Sequence, residues 1–300
     1  FKKHLDVPIA MIGAGKKKAK AITVATVQTA VRLMTDVRFR KLLRECDIVF
    51  IDELHVNRAK QIRKVMNKCS ARMRFGLSGT VSREEVKMLT YRGLVGPIIA
   101  EVRNPELIAL GRSAQPLIRM VMVDADIITG NYAHSYRQGI VHNSRRNELV
   151  VKETARHVKK DRKVLVTVGR IKHGHILLSR FEGLDLECEF ISGSTPMSVR
   201  RKVIRKFQKG RLHVLVASPI FDTGMDVPEI QAWVNAAGGK GWELVLQRLG
   251  RTLRKKPGRN VVFITDFADQ HNKYLARHSI LRWDYYREEG AKIKVVGGDK

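Results

Sequence analysis

Ile48-Val49-Phe50-Ile51-Asp52-Glu53-Leu54-His55 is a short apolar run that ends abruptly in two carboxylates. A run without polar alternation suits a strand covered on both faces, as in a parallel sheet. Carboxylates at its tip stand on the carboxyl edge of that sheet, where α/β folds bind their ligands. An acidic pair there can hold Mg²⁺ and orient an attacking water. Far downstream lies Gln247-Arg248-Leu249-Gly250-Arg251-Thr252-Leu253-Arg254. In a helix, Gln247, Arg251 and Arg254 share one face, and arginine is the cation that braces a transferring phosphoryl group. Together, in this order, the two strings suggest a nucleoside triphosphatase whose second domain supplies the arginines.

The rest of the chain alternates in the way such a fold requires. Segments 22–26, 48–51 and 75–77 read as buried strands, and so do 164–168, 189–191, 214–217, 233–235 and 261–264. Helical spacing lies between them. The stretch 199–209 places Val203, Ile204 and Phe207 on one side, with Thr195 as N-cap and Pro196 at the first position. Strand–helix alternation in both halves predicts an α/β protein of two domains with parallel sheets, and 300 residues suffice for two. The stretch 97–144 breaks the rhythm with Gly111, Gly130 and Gly139, and has a sheet strand only at 118–123. It reads as a connector, which divides the chain into 1–144 and 145–300. The tail 267–286 reads as a helix packing through Leu275, Ile280, Leu281 and Trp283, with fraying beyond Gly290.

Lysine and arginine total 57 against 29 acidic residues, a formal charge of +28. On a folded chain that balance argues for a polyanionic partner, because neutralising phosphates releases condensed counterions. Cys46, Cys69 and Cys188 form no C-x-x-C pair. Neither a disulfide framework nor a zinc site is indicated, and a reducing cytoplasm fits. No apolar run approaches the ~18 residues that cross a bilayer, so no membrane role is expected.

Two further strings could carry chemistry. In Ser78-Gly79-Thr80, small hydroxyl residues at a strand end can hydrogen-bond a neighbouring carboxylate and report its state. In the loop 217–228, Gly224 lets backbone N–H groups approach a phosphate. Asp226 there could take a ribose hydroxyl or an arginine.

These residues resemble the superfamily 2 helicases of the DEAD/DEAH type, in particular the UvsW-like and XPB-like branch of phage or bacterial kind. Asp52-Glu53-Leu54-His55 resembles motif II, and Gly76-Leu77-Ser78-Gly79-Thr80 motif III, with Gly79 in place of the usual alanine. Residues 164–174 resemble motif IV, 217–228 motif V and 247–254 motif VI. Gly96-Pro97, 105–108 and the ending 282–290 fit the same branch. The resemblance implies two RecA-like lobes, ATP and Mg²⁺ as cofactors, and a monomer that binds nucleic acid, with DNA favoured over RNA. By position it makes Asp52, Glu53, His55, Arg251 and Arg254 catalytic, with Asp52 on Mg²⁺ through water and His55 bonding across the domain interface. It places Gly224, Asp226, Gln247, Arg251 and Arg254 on the nucleotide, and Ser78 and Thr80 in coupling. Thr26, Gln28, Arg170, Ser192, Ser194 and Ser218 would meet nucleic acid, with Val27, Gly169 and Gly193 beside them.

One departure stands out. The family needs a phosphate-binding loop, G-x-x-x-x-G-K-[ST], and none is present. Around Gly13-Ala14-Gly15-Lys16-Lys17, Ala10 stands where the first glycine belongs and Lys17 where Ser or Thr must bind Mg²⁺. The expectation is a first lobe truncated at its N-terminus, with these 300 residues alone hydrolysing ATP poorly or not at all. A non-catalytic nucleic-acid-binding protein of the same fold, or the translocase subunit of a restriction-type enzyme, are the competing readings.

Overall fold

In a computed structural model, the described residues are 6–13, 19–54, 59–79, 85–124, 126–184, 186–218, 230–239 and 260–297. His55, Thr80, Gly224, Asp226, Gln247, Arg251 and Arg254 lie outside them. The chain divides into two units, Phe1–Glu101 and Val102–Lys300.

The first unit contains β1 (Ile9–Ile12), β2 (Ile22–Ala25), α1 (Val27–Arg32), α2 (Val37–Glu45), β3 (Ile48–Ile51), α3 (Ala59–Met66), β4 (Met73–Gly76) and α4 (Glu85–Val95). Two parallel pairs form, β1 with β2 and β3 with β4. Asp36 caps α2 by accepting from the Arg38 and Phe39 amides, a satisfied helix start. Phe39, Leu43, Ile51, Leu54, Ile62, Met66, Tyr91 and Leu94 form its core. The expectation that β3 is covered on both faces is not met by the described residues. Ile51 is buried, whereas Phe50 is 63% exposed and stacks on Phe75 at 5.1 Å. Cys46 and Cys69 remain free thiols although their Sγ atoms are 3.4 Å apart.

The second unit is built on one parallel sheet. Its elements are α5 (Asn104–Ala109), β5 (Gln115–Val123), α6 (Tyr132–Tyr136), α7 (Ser144–Val158), β6 (Val164–Thr167), α8 (Ile171–Glu182), β7 (Cys188–Ile191), α9 (Met197–Gln208), β8 (Val214–Ala217), β9 (Ala232–Asn235), β10 (Val261–Asp269), α10 (Lys273–Glu288) and β11 (Lys292–Val296). The seven strands run in the order β11-β5-β10-β9-β6-β8-β7. Strand side chains alternate between two cores. Leu165, Leu215, Trp233 and Ile264 pack with Val203 and Phe207 of α9 and Tyr286 of α10. Val164, Val166, Val214, Val216 and Val234 pack with Val150 of α7 and Leu177 and Phe181 of α8. Helices on both faces explain why these strands read as unbroken apolar runs.

Four details differ from the sequence reading. Much of the stretch taken as a connector belongs to the second sheet, because β5 pairs along its whole length with β10. Residues beyond Gly290 form β11, which pairs with β5. In α10 the buried face is Leu275, His278, Ser279, Arg282, Tyr285 and Tyr286, while Ile280 and Leu281 are exposed. An arginine and small polar residues occupy the inward positions, so a reading by hydrophobicity rotates the helix. Thr195 accepts from the Ser192 amide instead of capping α9, whose N-cap is Pro196.

His157 on α7 is 4% exposed. Arg162 Nη1 lies 3.1 Å from its Nδ1, and Thr265 Oγ1 lies 3.1 Å from its Nε2. Arginine only donates, so Nδ1 must accept and the proton sits on Nε2; a doubly protonated ring does not fit. Burial, then the charge of Arg162, pushes its pKa from 6.5 down to about 3. The unfolded chain takes up this proton near pH 6.5 and the folded one near 3, so this stability is whole above about 6.5 and falls as pH drops through the interval. Each pH unit there costs about 1.4 kcal/mol. Thermal melts from pH 7.5 to 5 should show a flatter pH dependence for His157→Gln than for wild type; equal slopes would contradict the neutral-histidine account.

Candidate functional site

At the end of β3 the chain turns sharply. Asp52 Oδ1 accepts from the Glu53 amide at 2.9 Å, and Glu53 has φ +52°. That left-handed conformation costs a non-glycine residue roughly 1–2 kcal/mol and persists only where its surroundings impose it. Here two backbone bonds do so: the Leu77 amide donates to Ile51 O at 2.8 Å, and the Leu54 amide donates to Leu77 O at 3.0 Å. Leu54 turns inward and is buried over Gly76. A Cβ on Gly76 would lie 2.5 Å from Leu54 Cδ2 and 3.0 Å from Val95 Cγ2. Leu54 inside leaves Asp52 and Glu53 exposed. Asp52, Glu53 and Ser78 therefore meet at one strand-end edge of the first unit. Thr26 follows β2 and caps α1, accepting from the Thr29 amide at 3.2 Å, and Gln28 lies in the first turn.

Among the described residues, no group of three or more His, Cys, Asp or Glu converges on a metal position. Mg²⁺ keeps several waters and takes one or two carboxylates plus phosphate oxygens. Asp52 and Glu53 supply such donors.

In the second unit the expected contacts also gather on one edge. Arg170 follows β6, Ser192 and Ser194 follow β7, and Ser218 follows β8, three neighbours in the sheet. The Ser218 amide donates to Ile191 O at 3.1 Å. Ser192 and Ser194 join their hydroxyls at 2.8 Å. Arg170 and Ser194 are exposed, whereas Ser192 and Ser218 are buried, so the latter two shape the edge more than they present a hydroxyl to solvent.

A buried charge network behind this edge was not anticipated. Arg146 donates through Nε and Nη2 to the Asp269 carboxylate at 2.6 and 3.3 Å. Arg282 Nε donates to Asp266 Oδ2 at 2.9 Å, and Asn235 Nδ2 and the Tyr286 hydroxyl donate to the same oxygen at 3.1 and 2.6 Å. These four charged residues are at most 2% exposed. Burial alone disfavours the Arg282 charge, but Asp266 and Asp269 outweigh it and raise the pKa. Burial, and then Asp266, push the Tyr286 phenol well above 10. The signal was present: Asp266 and Asp269 interrupt an otherwise apolar strand, and charge inside a buried strand needs a partner.

Known proteins resemble this chain in sequence and in fold. The family described as helicase conserved C-terminal domain matches residues 123–256, and the one described as type III restriction enzyme, res subunit, matches 2–83. The ATP-dependent DNA helicase uvsW of Enterobacteria phage T4 is 24% identical over 297 residues, 91% of this chain and 58% of that protein. The general transcription and DNA repair factor IIH helicase/translocase subunit XPB of Antonospora locustae is 28% identical over 267 residues, covering 84% of this chain and 37% of that protein. The solved structure of S. cerevisiae Dbp5 bound to RNA and ADP BeF3 shares the fold, with a TM-score of 0.62 at 18% identity over 99% of this chain and 72% of its own. The chain spans roughly half, or less, of the length of these two sequence relatives. Among the described residues, no helix is long and apolar enough to cross a membrane. The parallel sheets are those of the RecA-like fold, and in sequence the chain is similar to helicases of the branch that holds UvsW and XPB.

Proposed function

We propose that this protein is an ATP-dependent helicase or translocase acting on DNA, in branch remodelling, unwinding or annealing during repair and recombination. The observation that carries the reading is the Asp52–Glu53 turn, held with Glu53 at φ +52° and stapled to Leu77. A strained acidic turn kept exposed by an inward leucine suits a functional site better than a solvated strand end. The charge of +28 supports a nucleic-acid partner, and the DNA helicase relatives favour DNA over RNA.

In this reading Asp52 would hold Mg²⁺, and the ion would supply neutralising charge to the phosphates of ATP. Glu53 orients and deprotonates the attacking water, and His55 of the same motif counts among the catalytic residues. Ser78 and Thr80 report the state of these carboxylates. From the second unit, Gly224 and Asp226 meet the nucleotide together with Gln247, while Arg251 and Arg254 stabilise charge on the transferring phosphoryl group. Thr26, Gln28, Arg170, Ser192, Ser194 and Ser218 line the nucleic-acid path. The protein works as a monomer in the cytoplasm, or in the host cytoplasm for a phage protein. The match of residues 2–83 to a restriction enzyme subunit favours a second reading, a DNA translocase of that class; ATP-dependent DNA cleavage by the full-length protein would select it.

Two variants of the full-length protein test the site. Glu53→Gln should bind ATP with near-normal affinity while kcat falls by about 10²-fold or more, the range of general-base catalysis; normal turnover would refute the water-orienting role. Gly76→Ala should drive Leu54 out of its seat and misplace the acidic turn, lowering kcat by ~10-fold or more for a melting temperature change of a few degrees. If kcat stays at the wild-type value, the Leu54 seat does not set the turn.

A further inference from the structure

Tyr136 closes α6, and its hydroxyl donates to the Ala237 carbonyl oxygen at 2.7 Å in the loop after β9. The same hydroxyl lies directly over Gly169, where a Cβ would be 2.0 Å from the oxygen and 3.2 Å from Cζ. The Arg170 guanidinium lies 5.9 Å from the centroid of the same ring, within cation–π range. A single side chain thus touches the strand-end pair Gly169-Arg170 and the loop 236–239.

That loop is pinned at three carbonyls by three different elements. Arg146 Nη1 from α7 donates to Ala236 O at 2.9 Å, Tyr136 from α6 takes Ala237 O, and Arg282 Nη1 from α10 donates to Gly239 O at 3.3 Å. Gly238 and Gly239 adopt φ +54° and +85°, and a Cβ on Gly238 would lie 3.3 Å from Asp269 Oδ2. Glycine follows this path without the strain that a side chain would add at either position. Arg146 and Arg282 are locked by buried aspartates, so two of the three pins are fixed. The third rests on Tyr136, which is buried with Ile140 and Leu275 and packed on Tyr132; the Tyr136 ring also lies within reach of the exposed Arg170. Any ligand that draws the Arg170 guanidinium toward a phosphate alters what packs on that ring.

We infer that Tyr136 is a coupling residue, which passes nucleic-acid contact at Gly169-Arg170 to the loop 236–239 and so to the segment after it that bears Gln247, Arg251 and Arg254. The inference rests on the reading of Arg170 as a nucleic-acid contact and of Arg251 and Arg254 as nucleotide contacts. It adds a residue that touches neither ligand yet links them. The hydroxyl, and not the ring alone, is the working part, because it occupies the space that Gly169 leaves open.

The test compares wild type, Tyr136→Phe, Gly169→Ala and the double variant in the full-length protein, by amide hydrogen exchange with and without a single-stranded DNA oligonucleotide. In wild type, DNA should change exchange at amides 236–239. In Tyr136→Phe that response should vanish, and the ratio of DNA-stimulated to unstimulated ATP turnover should fall by about 5-fold or more, the low end of measured couplings between sites. Gly169→Ala should lower the melting temperature through its collision with the hydroxyl, and adding Tyr136→Phe should restore most of it without restoring the loop response. That pattern separates coupling from mere packing. A loop unmoved by bound DNA in wild type, or equally responsive in Tyr136→Phe, overturns the inference. A loop that responds in a protein with no ATP turnover leaves the coupling standing and removes the ATPase reading instead.

Discussion

Two arginines and two aspartates, all buried, fix the geometry of the second unit. Arg146 joins α7 to the end of β10 through Asp269, and Arg282 joins α10 to the same strand through Asp266. Each pair is desolvated, so removing one partner strands an uncompensated charge at a cost of about 3–5 kcal/mol. Hydrophobic residues of similar size could hold the same helices at least as firmly. They could not also reach the carbonyls of Ala236 and Gly239, as these guanidiniums do. Arginine has enough donors to satisfy a carboxylate and a backbone oxygen at once. The network therefore fixes a loop as well as a core, and this loop leads into the part of the sequence that carries Gln247, Arg251 and Arg254.

The first unit uses backbone and packing to the same end. Its acidic turn is imposed by two amide–carbonyl bonds across β3 and β4 and by one leucine seated over a glycine. Both units place their polar chemistry at the carboxyl ends of parallel strands, which is where a parallel α/β sheet leaves its loops free. In the second unit the seven-stranded sheet makes this edge rigid, since each face is covered by helices and the strands β6, β8 and β9 are fully buried.

Much of this was legible in the amino-acid order because parallel strands write themselves as unbroken apolar runs. Segments 48–51, 164–167, 214–217 and 232–235 are strands in the structure, and the acidic pair stands at the predicted tip. Strand β11 was missed because Lys292 and Lys294 alternate with apolar residues at a sheet edge, a pattern weak enough to pass for a fraying tail. The packing face of α10 was misread because its inward positions hold Arg282, His278 and Ser279, and the Arg282 charge is compensated by Asp266 on another element. The network around Asp266 has the same character: its members come from 146, 235, 266, 269, 282 and 286, and no local window contains it. Arg170, Ser192, Ser194 and Ser218 were singled out by their positions in the motifs, yet which of them faces solvent depended on the sheet. His55, Thr80, Gly224, Asp226, Gln247, Arg251 and Arg254 lie outside the described residues, so their roles stand on sequence and kinship.

The central claim is that the exposed Asp52–Glu53 turn serves ATP hydrolysis driven by nucleic acid. The most direct measurement is the steady-state ATP turnover of the full-length protein alone and with single-stranded, duplex and branched DNA, beside RNA of matched length. The account predicts Mg²⁺-dependent turnover that DNA stimulates, branched or single-stranded forms above RNA. Turnover that no nucleic acid changes, or none at all with DNA demonstrably bound, would contradict it.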